Sequence, residues 1–369
     1  MRADVVVVGA GVQGCGVALR LAQAGKSVIV LEKSIPGAEA SSAAGGILSP
    51  GVEAEHPGPF YDLCRASLAR YEPFARELER LTGMPVGFRD GGTLEVALDP
   101  EHADILAARA AILEKHSLPV EVLDDLEVRR LEPGISPQAR GALYFRDESS
   151  LDPRLFGRAL SIAAMKAGAR FLTGTVKRIR TDGGRASGVD HESGRIDADA
   201  VVLAAGSWSL LVEGHNLPES SVRPIRGQIA LLDTRPPLLT RVVFSGKGYV
   251  VPRGDGRILC GSTMEEVGFD KRVTAGGLKR VLEIATEIAP DLAKAPVIET
   301  WANFRPGSPD GAPILGSGTL PGLFYATGHT RNGILLAAIT ADAVSAAVLG
   351  RPVPVDLAPF SPSRFAAAR

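Results

Sequence analysis

Apolar residues fall in short unbroken runs near both ends of the chain and in looser alternations between them. Residues 5–8 are four consecutive valines, the pattern of a parallel strand buried on both faces. A helical stretch follows, and a second run, Val-Ile-Val-Leu at 28–31, ends in Glu32. Residues 200–209 repeat the strand signature after a helical stretch at 153–168 and a strand-like run at 170–179. Residues 322–328 predict another short buried strand, leading into an apolar stretch at 333–350. Asp342 interrupts that stretch, so it predicts a buried helix and no membrane span. In the middle the pattern changes. Residues 91–98 alternate after two glycines, as a half-exposed strand does. Residues 226–233, 248–252 and 257–263 predict an antiparallel sheet with short turns, and 276–289 a helix.

The first of these units carries chemistry. Gly9, Gly11 and Gly14 spell G-x-G-x-x-G between strand and helix, with Val12 and Gln13 inside the motif. The first glycine allows a tight turn, the second lets a pyrophosphate approach the backbone, and the third lets the helix pack on the sheet. Glu32 stands where a carboxylate accepts hydrogen bonds from ribose hydroxyls, and Lys33 follows it. Strand, glycines, helix and acid together predict a dinucleotide site. The expected fold class is α/β (α+β overall), a Rossmann-like domain with a second, mostly antiparallel substrate domain. Residues 1–88, 141–222 and 305–369 are assigned to the first and 89–140 and 223–304 to the second. The active site is expected where they meet.

Composition narrows the function classes. A length of 369 residues suits two domains. A formal net charge of −1 leaves no electrostatic footprint for nucleic acid or an anionic membrane. The three cysteines, Cys15, Cys64 and Cys260, make no metal pattern or disulfide framework, which favours a reducing cytoplasm. Cys15 reads as a small packed residue. The six histidines show no ligand spacing, so no metal is expected.

Eight segments in order resemble the D-amino-acid-oxidase superfamily of FAD enzymes, most closely its glycine-oxidase branch, over nearly the whole chain. They are 9–14 with Glu32, 41–48 followed by Glu53, 91–93, 226–228, 248–253, 261–264, 301–311 and 328–335. The resemblance implies that Ala40, Ser41, Gly45, Gly46 and Ile47 pass alongside the flavin, and that Val176 meets the adenine through its backbone. Gly206 also belongs to the implied FAD site. At the other end, His329, Thr330, Arg331, Asn332, Gly333, Ile334 and Leu335 form the loop and helix start facing the ring. A helix beginning near Asn332 or Gly333 would present about half a positive charge to the reduced flavin. Taken alone, 41–48 has an ordinary flexible loop as its lesser alternative, and Val176 reads as a strand valine.

For the substrate, the resemblance implies that Arg305 clamps a carboxylate, with Tyr249 touching it and Arg331 at the flavin end of the pocket. A guanidinium offers two parallel donors that match a carboxylate. The bland alternatives are an Arg305–Asp310 surface pair, core packing by Tyr249, and an Arg331–carboxylate pair. Met264 matches the branch. Lys247 stands where the branch has histidine, and Ile47 where it has methionine. No cysteine lies in 301–311, where relatives tether the cofactor, so FAD is expected to be noncovalent.

The implied reaction oxidises glycine or another small amino or imino acid, such as sarcosine or a D-amino acid. The products are an oxo acid, ammonia and, with dioxygen, hydrogen peroxide; in the glycine-oxidase branch this serves thiamine thiazole synthesis. Relatives of that branch are homo-oligomers. Three alternatives stay open: a dehydrogenase passing electrons to a quinone or protein, an NAD-dependent dehydrogenase, and a non-catalytic FAD-binding protein. His329 also stays open as a general base.

Overall fold

The computed structural model describes residues 1–53 and 56–365. The first sheet is built as the apolar runs require. Leu323–Thr327, Gly194–Leu203, Arg2–Val8, Val28–Glu32 and Arg170–Thr173 lie side by side, all parallel. Ile314–Ser317 adds an antiparallel edge, and Val176–Asp182 and Arg185–His191 form an antiparallel arm off Gly194–Leu203. The valine run is buried on both sides. Val5 and Val7 join one apolar core, Val6 and Val8 another. Helices Val12–Gln23, Pro59–Thr82, Pro153–Lys166 and Ala337–Val348 contribute to the first of these cores. Strand Arg2–Val8 has its chain successor on one side and Gly194–Leu203 on the other. That reversal of strand order opens a crevice at the carboxyl ends of the strands, where ligands of α/β sheets bind.

The second sheet runs Val297–Gly307, Arg223–Asp233, Arg257–Gly261, Gly248–Pro252, Val242–Ser245, Thr93–Ala97, Gly141–Phe145, Glu121–Asp124. Only Val242–Ser245 and Thr93–Ala97 pair in parallel.

Four expectations need correction. The run at 170–179 is two strands, because the chain turns at Gly174, whose N–H bonds the Glu32 carbonyl at 2.8 Å. Thr93–Ala97 is not half-exposed. Leu94 and Val96 pack into one apolar cluster, while Ala97 packs into another with Leu106 and Leu113 of helix Pro100–Lys115. Gly141–Phe145, assigned to the first domain, pairs on both edges within the second sheet, so the boundary at 140/141 falls after the wrong element. The C-terminal helix begins at Ala337, later than expected, and residues 331–336 are mainly turns. Residues 54–55 and 366–369 of the assigned boundaries lie outside the described residues.

Glu148 is buried under the short helix Pro50–Glu53, where its carboxyl accepts the Gly51 N–H. Burial raises its pKa from 4.5 to about 8. Between those values the unfolded chain ionises this group and the native protein does not. Stability from Glu148 is therefore full below pH 4.5 and declines as pH rises through about 8. Thermal melts of Glu148→Gln across that window should show a shallower decline of Tm than the parent. Equal slopes would contradict the assignment.

Candidate active site

The crevice continues into a cavity that reaches the second sheet. Its polar end is set by the glycine loop. Gly9 adopts a φ of +100°, and a Cβ there would lie 2.6 Å from the Ala204 carbonyl. A Cβ on Gly14 would meet the Gly9 carbonyl at 1.9 Å, so this glycine serves helix packing and does not line the cavity. Helix Val12–Gln23 has no acidic residue in its first turn, leaving its positive end open to an anion. Ser41 Oγ accepts the Val12 N–H at 3.0 Å, tying the 41–48 loop to that helix. Glu32 accepts the N–H groups of Ala10 and Ser34 at 2.8 and 3.1 Å. A carboxylate has about four lone-pair sites, so acceptor capacity remains for a ribose.

Gln13 supplies the clearest test of whether FAD fits. Its amide donates to the Gly333 carbonyl at 2.7 Å, while Oε1 is buried with no protein partner. Such an acceptor requires a donor, and a hydroxyl-bearing cofactor in the cavity supplies one. The glycine loop, a helix start without an acidic side chain and this oxygen all fit FAD.

Gly9, Gly11, Val12, Gln13, Glu32, Lys33, Ala40, Ser41, Gly45, Gly46, Ile47, Val176 and Gly206 are brought to the cavity wall, as are 329–334. Leu335 is not. It is 1% exposed in the core, and its carbonyl accepts the Ser67 hydroxyl. His329 is 2% exposed and contacts Thr340 Oγ1 at 3.1 Å. Burial lowers its pKa to about 3. A group so reluctant to bind a proton is unsuited to a general base.

At the far end, Arg305 and Tyr249 share the cavity. Arg305 donates to Ser262 Oγ at 2.5 Å and to the Thr263 carbonyl at 3.2 Å. No carboxylate among the described residues pairs with it. Asp310 is held instead by Arg364, at 2.7 Å. Gly227 makes the room, since a Cβ there would lie 2.2 Å from the guanidinium. Tyr249 is 8% exposed, packed with Phe244, Ile229 and Ile47, and its phenol acts on Arg305. Arg331 Nη2 meets Glu53 Oε1 at 3.2 Å.

Lys247 and Met264 fall outside the cavity. Lys247 sits in the turn after Val242–Ser245 and pairs with Glu287 of helix Ala275–Ile288 at 2.9 Å. Met264 follows the bend that turns Ser262 and Thr263 toward Arg305, and its side chain is 53% exposed. Ser262, Gly227, Glu53, Glu39 and Trp208 were not among the expected site residues. Lys33 Nζ lies 3.3 Å above the Trp208 ring and 3.0 Å from Glu39. A tryptophan two residues beyond Gly206, at the end of a buried strand, was the one signal available in the sequence.

Residues 4–347 match the DAO family, described as FAD dependent oxidoreductase. Glycine oxidase of Geobacillus kaustophilus is 35% identical over 369 residues, covering 98% of this chain and 97% of that protein. The bifunctional protein ThiO/ThiG of Synechocystis sp. is 36% identical over 98% of this chain, which spans about half (54%) of that protein's length. The crystal structure of the Geobacillus kaustophilus glycine oxidase aligns with a TM-score of 0.94 at 34% identity, covering 98% of this chain and 99% of that one. With its glycine loop, orphaned Gln13 oxygen and two-sheet cavity, the chain belongs to the DAO family of FAD-dependent oxidoreductases.

Proposed function

We propose that the enzyme oxidises the C–N bond of glycine or another small amino or imino acid, sarcosine and D-amino acids included, to an oxo acid and hydrogen peroxide, with release of ammonia from a primary amine and of the substituted amine from a secondary one such as sarcosine. The observation that carries this reading is Arg305, a guanidinium at the cavity wall with no carboxylate partner among the described residues. A desolvated charge of this kind is costly unless a ligand neutralises it, and a bidentate carboxylate does so best. Glu53 already offsets Arg331. With Lys33 also paired, to Glu39, Arg305 is the lining cation left for a carboxylate among the described residues, which favours a monocarboxylic substrate.

Held in this cavity, FAD would supply the acceptor for a hydride from the substrate's α-carbon, with dioxygen as the final oxidant. The chain's own residues position and exclude. Arg305 and Tyr249 fix the carboxylate, which orients the α-carbon, and holding reactants in a reactive geometry can supply roughly 7–11 kcal/mol. Ile47, Ile229 and Tyr249 form an apolar wall that keeps water from the reacting carbon. The nitrogen lone pair becomes the second bond of an imine as hydride leaves, and water then hydrolyses that imine. Cys15, Cys64 and Cys260 are buried and none lines the cavity, in keeping with noncovalent FAD. Support for a role in thiamine thiazole synthesis comes from the ThiO/ThiG and glycine oxidase relatives. No helix among the described residues is long and apolar enough to cross a membrane. A cytoplasmic homo-oligomer completes this reading.

Purified enzyme, glycine or sarcosine and air should yield peroxide with no added acceptor. Electron transfer to an added quinone alone would instead identify a dehydrogenase. His329 stays neutral down to about pH 3, so no histidine-dependent limb should appear. Activity should climb from neutral to mildly alkaline pH as the substrate ammonium loses its proton, and a flat profile would contradict this.

A further inference from the structure

A second arginine has a charge that the amine chemistry leaves without a task. Arg253 follows strand Gly248–Pro252 and reaches back to the 41–48 loop. There its Nη1 donates to the carbonyls of Gly45 and Leu151, each at 3.0 Å. Burial lowers its pKa to about 10, so it remains cationic at neutral pH. It has no ion-pair partner among the described residues. Asp152, the acid acting on it through space, is occupied in capping helix Pro153–Lys166. Two other arginines with little exposure, away from the cavity, are neutralised: Arg226 by Glu265 and Asp270, and Arg109 by Glu95. Desolvating an uncompensated guanidinium is unfavourable, and Arg253 is retained beside a cavity that takes an anionic cofactor.

What Arg253 holds explains the placement. Gly45 and Gly46 line the cavity. Gly46 has a φ of +79°, its carbonyl accepts the Leu151 N–H at 2.8 Å, and a Cβ there would lie 2.1 Å from the Leu151 carbonyl. The Gly45 carbonyl points at Arg253, so the planar trans peptide directs the Gly46 N–H the opposite way. A hydrogen bond into the carbonyl polarises the peptide and strengthens that N–H as a donor.

We propose that Arg253 is a positioning residue for the reduction of bound FAD. Its charge, relayed by the Gly45–Gly46 peptide, favours the cofactor once it has taken up a hydride. A hydride brings two electrons and one proton, a net charge of −1, so a cation behind the cavity wall raises the reduction potential. This rests on the family's cofactor and not on which amine is oxidised.

The test compares Arg253→Gln with Arg253→Lys as holoenzymes. Gln retains a donor for the Gly45 carbonyl and loses the charge; Lys retains the charge. Readouts are the midpoint potential against a reference dye and the affinity of the oxidised flavin for sulfite, whose adduct is likewise anionic. Gln should weaken sulfite binding roughly tenfold and lower the potential by about 30 mV, the equivalent of tenfold for a two-electron couple. Lys should stay close to the parent. Unchanged potentials in both variants, or equal shifts in both, would overturn the proposal. So would loss of FAD or of the folded state from either variant, which would make Arg253 a structural anchor.

Discussion

Replacing Arg305 with alanine should lower kcat/KM for amino acids by about 30-fold to several thousand-fold. The range follows from the roughly 2–5 kcal/mol lost when one partner of a desolvated charge pair is removed, at 1.4 kcal/mol per tenfold. Folding should be little affected, because Arg305 makes no ion pair among the described residues and holds only neutral partners, Ser262 and the Thr263 carbonyl among them. The penalty should be confined to substrates bearing a carboxylate. Steady-state kinetics with glycine, and with a primary amine lacking the acid group, separates the cases. An Arg305→Ala enzyme that kept its parental kcat/KM for glycine would remove the proposed carboxylate site.

Gly11→Val should weaken FAD binding roughly 100-fold while leaving a folded apoprotein. Gly11 caps helix Val12–Gln23 at φ −69°, a backbone conformation any residue adopts. A Cβ there meets only Ser41 Oγ, at 3.1 Å, so the fold can accept it. The branched side chain would instead occupy the space needed for close approach of the pyrophosphate. An overpacking penalty of about 3 kcal/mol corresponds to roughly 100-fold weaker binding. Gly14→Ala makes the contrast: its Cβ would strike the Gly9 carbonyl, so folding itself should fail. Flavin fluorescence titration of apoprotein, with thermal melts of both variants, reads the difference. Parental FAD affinity in Gly11→Val would show that the glycine loop does not hold the pyrophosphate.

The contrast between these sites also marks what the sequence could express. The glycine loop, its helix and Glu32 lie within about thirty residues, and local spacing alone carries their geometry. The second end of the cavity depends on register. Ile225 pairs with Arg305 and Gly227 with Asn303, so Gly227 clears room for a side chain from the neighbouring strand. Nothing in the spacing of 226–228 announces that, since register follows from burial of whole faces. Lys247 failed for a related reason: one turn position decides whether a side chain enters the cavity or meets Glu287. The arm Val176–Asp182 was run together with Arg170–Thr173 because one glycine does not by itself announce a turn, and Gly141–Phe145 was given to the wrong sheet because a short apolar run does not say which sheet it joins. Arg305 was reached only through the resemblance of its segment. Its lack of a carboxylate partner among the described residues, which gives it chemical meaning, is a property of the fold.

The most direct measurement is anaerobic mixing of the holoenzyme with glycine, sarcosine, proline and a panel of D- and L-amino acids, followed by flavin absorbance. The expected result is bleaching by at least one small amino or imino acid, and none by its decarboxylated counterpart. Flavin that stays oxidised with every amino acid, or bleaches equally with the bare amine, would contradict an amino-acid oxidase oriented by Arg305.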